Sequence, residues 1–520
     1  MKLLHSLFIN KFCFILRDNY FSILLILGIL KFLLYYSANI LSWPYTADIP
    51  IILKFLNSDI YPDDFYVNNV PLYPKILLPF LLYLLVGIDI EIYTGLFLIK
   101  FISFTTLPLL IFVAYKRIIN LCFVNITTIC LFFLFGISLG VLYFLQSNYS
   151  FAGWSAIEHT RTITPSFLSF YFFLISVIFI CEKNFRFISV FVFTIFCLLS
   201  FVSHIVLGLF CFITFFTFIF PFKRKFSFLI ISISGLCFLL VFILVNLETD
   251  ISNPLSDSSF IDIYAYFRHP HHYVISNIIS YKTFCYLFFS ASIIYFSKNI
   301  CQNVYLSSIL IFSVWFFSII TQYYFIEVSP SKLVAKLGPC RVTTLWCFYF
   351  SLFLCIIVNH YTSYNFKIKD TGNYFSKILF IISLLLFIPS FFFLNDNKFS
   401  SLTKNQIQLY GYLRNHLPND SKIFTQHHDL NILRAMSERS VWGSTAFIFN
   451  EDKFLDFKKM LSARRKFPNF IDSDTIHFLN NNKVTHIILN KIEIDNLEKF
   501  ILVQHNVGSN YVCKIIKNED

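Results

Sequence analysis

Long apolar runs constrain this chain more than any other feature. Phe21–Leu41, Phe226–Leu247 and Ile378–Leu394 match or approach the roughly 20 residues that a helix needs to cross a bilayer. In lipid the backbone must satisfy its own polar groups, so such runs pack as helices. Comparable runs lie near 20–41, 72–87, 93–114, 121–143, 163–181, 187–203, 205–221, 226–247, 283–297, 303–320, 341–360 and 377–394. The chain is 57% hydrophobic and 13% charged, with a mean hydropathy of +0.68. A soluble domain is about 45–50% apolar and about a quarter charged. The expectation is an all-α polytopic membrane domain of about eleven or twelve spans.

After Leu394 the composition turns polar, and 395–520 reads as a small soluble α/β domain. Asn405–His416 has the pattern of an amphipathic helix, stopped by Leu417-Pro418-Asn419-Asp420. Ser421–Thr425, Val484–Asn490 and Tyr511–Ile516 read as short buried strands. The expected organisation is therefore a multi-span domain over 1–394 and an extracytoplasmic α/β domain over 395–520.

Charge orients the spans. Lys and Arg cluster as Lys116-Arg117, Lys183/Arg186 and Lys223-Arg224-Lys225, and basic loops stay cytoplasmic. Ten of the fifteen acids before residue 395 fall in four other loops, near 42–71, 144–162, 248–282 and 321–340, which are thus assigned to the outer face. If both 72–87 and 93–114 cross, every basic loop lands outside. Pro71, Pro74 and Pro79 make 72–87 the weaker span, and a re-entrant or interfacial segment there returns the basic loops to the cytoplasm. Positive-inside topology also accounts for the net charge of +12 without nucleic acid, since no Lys/Arg run exceeds Lys223–Lys225. Most of the 13 cysteines lie in apolar runs and no CxxC occurs, so neither a zinc site nor a disulfide framework is indicated. Met1–Tyr20 reads as an amphipathic cytoplasmic segment leading into an uncleaved first helix.

Candidate chemistry sits in the outer loops. Asp48, Asp63 and Asp64 have the chemistry to orient a hydroxyl or bind a divalent cation such as Mg or Mn; Asp63-Asp64 after Pro62 also fits a solvated turn. Glu158, His159 and Arg161 make an anion or metal site or a surface ion pair, while Thr164-Pro165 reads as a helix start. The run Arg268-His269-Pro270-His271-His272 suits a phosphate group, because Arg binds such oxygens bidentately and keeps its charge. Metal binding and a plain structural role are the other options for its histidines. Arg341, after Gly338-Pro339, would add a cation at the same depth. His204 reads as a satisfied packing histidine, and Lys31 and Lys100 face a cavity or snorkel to an interface.

This plan resembles the GT-C superfamily, multi-span glycosyltransferases that use polyprenyl-phosphate sugars. The resemblance rests on an acidic loop after the first helix (Asp48, Asp63, Asp64), a second acid before a later helix (Glu158), a longer outer loop and a terminal α/β domain. The arginine-histidine run and Arg434/Arg439 also resemble bacterial multi-span proteins grouped near that fold. A clear Asp-Glu pair after the first span and a WWD-type motif are absent. The resemblance implies a bacterial inner-membrane enzyme that moves a sugar from a polyprenyl-phosphate donor to a glycan, lipid or protein acceptor. It further implies that Asp48, Asp63, Asp64 or Glu158 acts catalytically. Arg161, Arg268, His269, His271, His272 and Arg341 would then hold the lipid phosphate. A flippase for lipid-linked saccharides and a non-catalytic assembly protein are the competing readings.

Overall fold

The computed structural model describes parts of 22–33, then 43–70, 77–121, 164–182, 187–248, 254–279 except 269, 281–365, 402–443, 451–467 and 471–516 except 496. It divides into two compact units: a bundle unit of Met1–Tyr35, Phe97–Glu248 and Ser256–Asn397, and a sheet unit of Tyr36–Leu96, Thr249–Leu255 and Lys398–Asp520. The unit that contains the terminal sheet thus also takes in Tyr36–Leu96.

In chain order the helices are α1 (Trp43–Leu56), α2 (Phe65–Asn69), α3 (Leu77–Val86), α4 (Ile92–Leu121), α5 (Pro165–Ile180), α6 (Phe187–Ser203), α7 (Ile205–Ile219) and α8 (Arg224–Glu248). Next come α9 (Asp257–Ile261), a π-helical turn at Asp262–Arg268, α10 (Pro270–Tyr273), α11 (Ile275–Ile278), α12 (Tyr281–Ser297) and α13 (Gln302–Tyr323). A second π turn (Tyr324–Val328), α14 (Lys332–Leu337), a 3-10 turn (Pro339–Leu345) and α15 (Trp346–Asn365) complete that region. The terminal region holds α16 (Lys404–His416), β1 (Lys422–Thr425), α17 (Leu430–Ser437), β2 (Ser440–Val441), α18 (Phe454–Lys466) and α19 (Ser473–Asn481). It ends with β3 (His486–Leu489), α20 (Lys491–Asp495), β4 (Ile501–Val507) and β5 (Asn510–Ile515).

Four helical stretches among the described residues are long and apolar enough to cross a membrane: Ile92–Asn120, Arg224–Leu244, Gln302–Val328 and Lys332–Ile357. Several shorter apolar helices, including α5, α6 and α7, accompany them, and this is a multi-span membrane protein. Within 72–87 the described helix is α3, ten residues about 15 Å long, and 72–76 lie outside the described residues. The segment near 42–71, expected outside, is largely helical in α1 and α2. The apolar runs near 121–143 and 377–394, and Lys31, lie outside the described residues.

Small residues and phenylalanine build the bundle unit. Ser169 on α5 and Ser200 on α6 meet at 3.1 Å, and a Cβ at Gly208 on α7 would stand 2.9 Å from Phe201 Cδ1 and 3.3 Å from its Cα; small side chains of this kind let helices approach closely in lipid. Phe104, Phe167, Phe170, Phe173, Phe212, Phe215 and Phe218 are buried against one another or neighbouring helices. The abundant phenylalanine is therefore interior packing as well as lipid-facing bulk. Thr164 caps α5 ahead of Pro165. His204 caps α7 through Nδ1, which accepts from Leu207 N at 3.2 Å.

The bundle has two chemically distinct ends. Cys181, just after α5, is within electrostatic reach of both Arg117 and Lys223, so basic segments far apart in sequence share one end. Ser307 near the start of α13 donates to Phe218 O at 2.7 Å, which puts that helix start at the basic end as well. At the far end of α13, Gln322 donates to Tyr273 O (3.2 Å) and accepts from Cys340 N (3.0 Å). Glu327 Oε1 there accepts from Ile275 N at 2.6 Å. Segments 262–275 and 322–341 therefore meet away from the basic loops.

In the sheet unit the strand order is β2-β1-β3-β5-β4, with β1 parallel to β2 and β3, and β5 antiparallel to β3 and β4. The expected strands become β1, β3 and β5, and the expected helix becomes α16, whose Thr403–Gln406 capping box satisfies its first amides. Alternate residues face opposite layers. Phe424, Ile487, Leu489 and Cys513 pack with Ile476 and Leu479 of α19. Ile423, Ile488 and Val512 pack with Leu409 and Leu413 of α16 and Leu433 of α17. Burial on both faces explains the nearly continuous apolar run of β3.

Candidate functional site

In the sheet unit, Asp64 is fully buried. It caps α2, Oδ1 accepting from Tyr66 N and Val67 N at 3.0 Å each. Oδ2 accepts from Arg434 Nε at 2.7 Å and Val441 N at 2.8 Å. Arg434, also 0% exposed, donates further to Asn431 Oδ1 and Gly443 O and lies over the Tyr66 ring at 5.1 Å. Tyr61 Oη donates to Arg434 O at 2.9 Å, and burial, then Glu438 and Asp64, pushes its phenol well above the usual range. Four donors on one buried carboxylate leave it no free lone pair for accepting a substrate proton. Asp64 is built to join α2 to α17 and β2.

Asp63 beside it is exposed and close enough to attract Lys422, whose ammonium is nevertheless held below its usual range mainly by burial. Asp48 lies inside α1, and its side chain is outside the described residues. So are Glu158, Arg161 and His269.

The bundle unit gathers cations at the end opposite the basic loops. Arg268 ends the π turn and is half-buried, and His271 and His272 lie in α10; the two imidazoles are outside the described side chains. Arg341 Nη2 donates to Tyr273 Oη at 2.9 Å, and Tyr273 Oη lies 2.9 Å from Tyr264 Oη. Tyr273 is fully enclosed, and burial raises its pKa well above the ordinary value, so it stays a neutral phenol. Two cations that the motif reading passed over join this end. Lys332 and Lys336 stand 5.7 and 5.4 Å from the centroid of the Phe260 ring. Their spacing places them on one face of α14, and the Ser329-Pro330-Ser331 turn before it was the available signal.

Among solved structures, the chain is similar to the crystal structure of ArnT from Cupriavidus metallidurans bound to undecaprenyl phosphate, at 9% sequence identity and a TM-score of 0.49, covering 96% of this chain and 99% of that chain. No family model matches the chain, and no curated protein matches it. No functional assignment rests on that likeness.

Gln302–Val328 and Lys332–Ile357 are consecutive apolar stretches, and Lys332, Lys336 and Arg341 lie in the first part of the second. Cations there can pair with a lipid phosphate while their stems stay in apolar surroundings. Among the described residues, no three His, Cys, Asp or Glu side chains are grouped to hold a metal.

Proposed function

We propose that the chain is a glycosyltransferase of the extracytoplasmic membrane face that takes its sugar from a polyprenyl-phosphate donor. The observation that carries this reading is the cluster of Lys332, Lys336, Arg268 and Arg341 at the bundle end away from Lys116-Arg117 and Lys223. Positive residues normally gather on the cytoplasmic side, and cations gathered at the other end supply charge that an anionic lipid head group can meet. Lys332 and Lys336 offer point charges, and Arg268 offers a planar fork for phosphate oxygens. Arg341 is a positioning residue that holds the 262–273 segment through Tyr273.

In the reaction an acceptor hydroxyl attacks the anomeric carbon while the bond from that carbon to the phosphate oxygen breaks. The lipid phosphate leaves with the electron pair, and the acceptor proton passes to a carboxylate. Cations on the departing phosphate favour the step because they meet charge as it develops. Asp64, already saturated with donors, is not that carboxylate. The terminal domain belongs on the extracytoplasmic side in this reading. Supporting that, its unit takes in the loop near 42–71 and residues 249–255, which the charge pattern assigns outside, and Glu451 accepts from Leu255 N at 2.9 Å.

The test is binding of undecaprenyl phosphate to the purified protein, alongside sugar transfer from a panel of polyprenyl-phosphate donors. Arg268→Ala, and Lys332→Ala with Lys336→Ala, should each weaken lipid binding about ten- to a hundredfold, as expected for losing a charge-assisted contact of roughly 1.5–3 kcal/mol. Arg268→Lys should recover part of it. Undiminished binding in all variants would overturn the assignment. Lipid movement across vesicles without any sugar transfer would make the protein a flippase instead.

A further inference from the structure

A second cluster lies at the carboxyl edge of the terminal sheet. Strands β1, β2 and β3 run parallel, pairing Lys422 with Ser440 and Thr425 with Ile488, so their carboxyl ends open on the same side. In open α/β sheets that edge is where ligands bind. Arg464 of α18 lies across it. Its Nη2 donates to Thr425 O at 3.2 Å, and its guanidinium stands 5.5 Å from the centroid of the Phe424 ring. Its Nη1 comes so near Gly443 that a Cβ there would stand 3.2 Å away. That Nη1 is buried and has no hydrogen-bond partner among the described residues. A buried guanidinium N–H left unmet is costly, and native structures retain such groups for a reason. Burial holds the Arg464 pKa down to about 10, against the attraction of Asp429 and with the repulsion of Arg434.

The neighbouring imidazole is held for work. His427 Nε2 lies 2.9 Å from Glu493 Oε2. Glu493 is itself fully buried and accepts from Ile471 N at 3.1 Å and Asn490 N at 2.9 Å. Those contacts hold the carboxylate in place, and it in turn orients the imidazole. The His427 side chain remains 31% exposed. His428 next to it has both nitrogens engaged, with Tyr410 Oη and Asn510 Oδ1 at 3.1 Å each, and serves packing.

We propose that this edge is a phosphate-binding site in which Arg464 and His427 grip the anion and Glu493 fixes the imidazole. Arg464 Nη2 already gives one N–H to Thr425 O, and Nη1 is the nitrogen whose donors are unmet. A tetrahedral anion that takes Nη1 on one side and the imidazole on another fits the arrangement. The ligand is either free phosphate or a phosphate carried on a sugar. The site is independent of the lipid-phosphate cluster proposed above.

Isothermal titration of the full chain in detergent, with inorganic phosphate and with a hexose 1-phosphate, tests this. The Lys332→Ala/Lys336→Ala background removes the two lysines of the other cluster. Saturable binding should persist in that background, fall at least tenfold in Arg464→Gln, fall less in Arg464→Lys, and fall severalfold in His427→Gln. Tighter binding of the hexose 1-phosphate than of inorganic phosphate would assign the site to a phosphosugar, and the reverse order to free phosphate. His427→Gln, at a partly exposed position, carries the test if Arg464→Gln does not fold. The proposal is overturned if neither ligand binds that background at millimolar concentration, or if binding is unchanged in the folded Arg464 and His427 variants. Loss of lipid binding in the Lys332/Lys336 pair with phosphate binding intact would separate the two proposals.

Discussion

Asp64 and Arg434 are 370 positions apart in the chain and 2.7 Å apart in space. Each side chain is 0% exposed. Removing one partner strands the other charge in the interior, at a cost of about 3–5 kcal/mol, whereas replacing both with apolar groups is often close to neutral. Asp64→Leu and Arg434→Met should therefore each lower the thermal midpoint sharply, and the double variant should lose less than the two single losses combined. Strict additivity would show that the pair is not coupled. Arg434→Lys should not rescue, because one ammonium cannot serve Asp64, Asn431 and Gly443 together. Sequence patterning exposed both residues as polar positions worth explaining. It had no means of joining them, since no periodicity spans such a separation.

At the scale of elements, side-chain size decides the packing. Between α6 and α7 the decisive residue is Gly208, whose Cβ position faces Phe201. Gly208→Leu should destabilise the bundle by about 1–3 kcal/mol through overpacking, with Gly208→Ala milder. Combining Gly208→Ala with Phe201→Leu should restore part of the loss, measured as the melting temperature in detergent. No recovery in the pair would place the strain elsewhere. The capping roles of Thr164 and Thr403 follow local rules, which is why those helix starts can be read from a few residues.

At the scale of the whole molecule, the two ends of the bundle differ in charge and in the way they are tied. Cys301, exposed at the start of α13, belongs to the end shared with Lys223, and exposed Ser329 lies beyond the other end of the Gln302–Val328 stretch. In a variant that keeps Cys301 alone, an impermeant maleimide should label inverted vesicles and leave right-side-out cells unlabelled. A Ser329→Cys protein lacking the native cysteines should give the opposite pattern. Labelling of both positions from one side would overturn the crossing and the assignment of faces.

The sequence by itself determined the membrane class, the polar terminal domain and its strands β1, β3 and β5, because hydropathy and local periodicity report burial directly. It also marked Arg268, Arg341 and the outer acids as charges in need of a purpose. Only the tertiary structure decided which of them act together. It enclosed Asp64 with Arg434 and set Arg341 on Tyr273. It also brought Lys332 and Lys336 to Phe260, and His427 to Glu493. Those outcomes depend on desolvation and on contacts between residues remote in the chain. A carboxylate in water and one held by four buried donors are the same letter in the sequence, and the fold alone separates them.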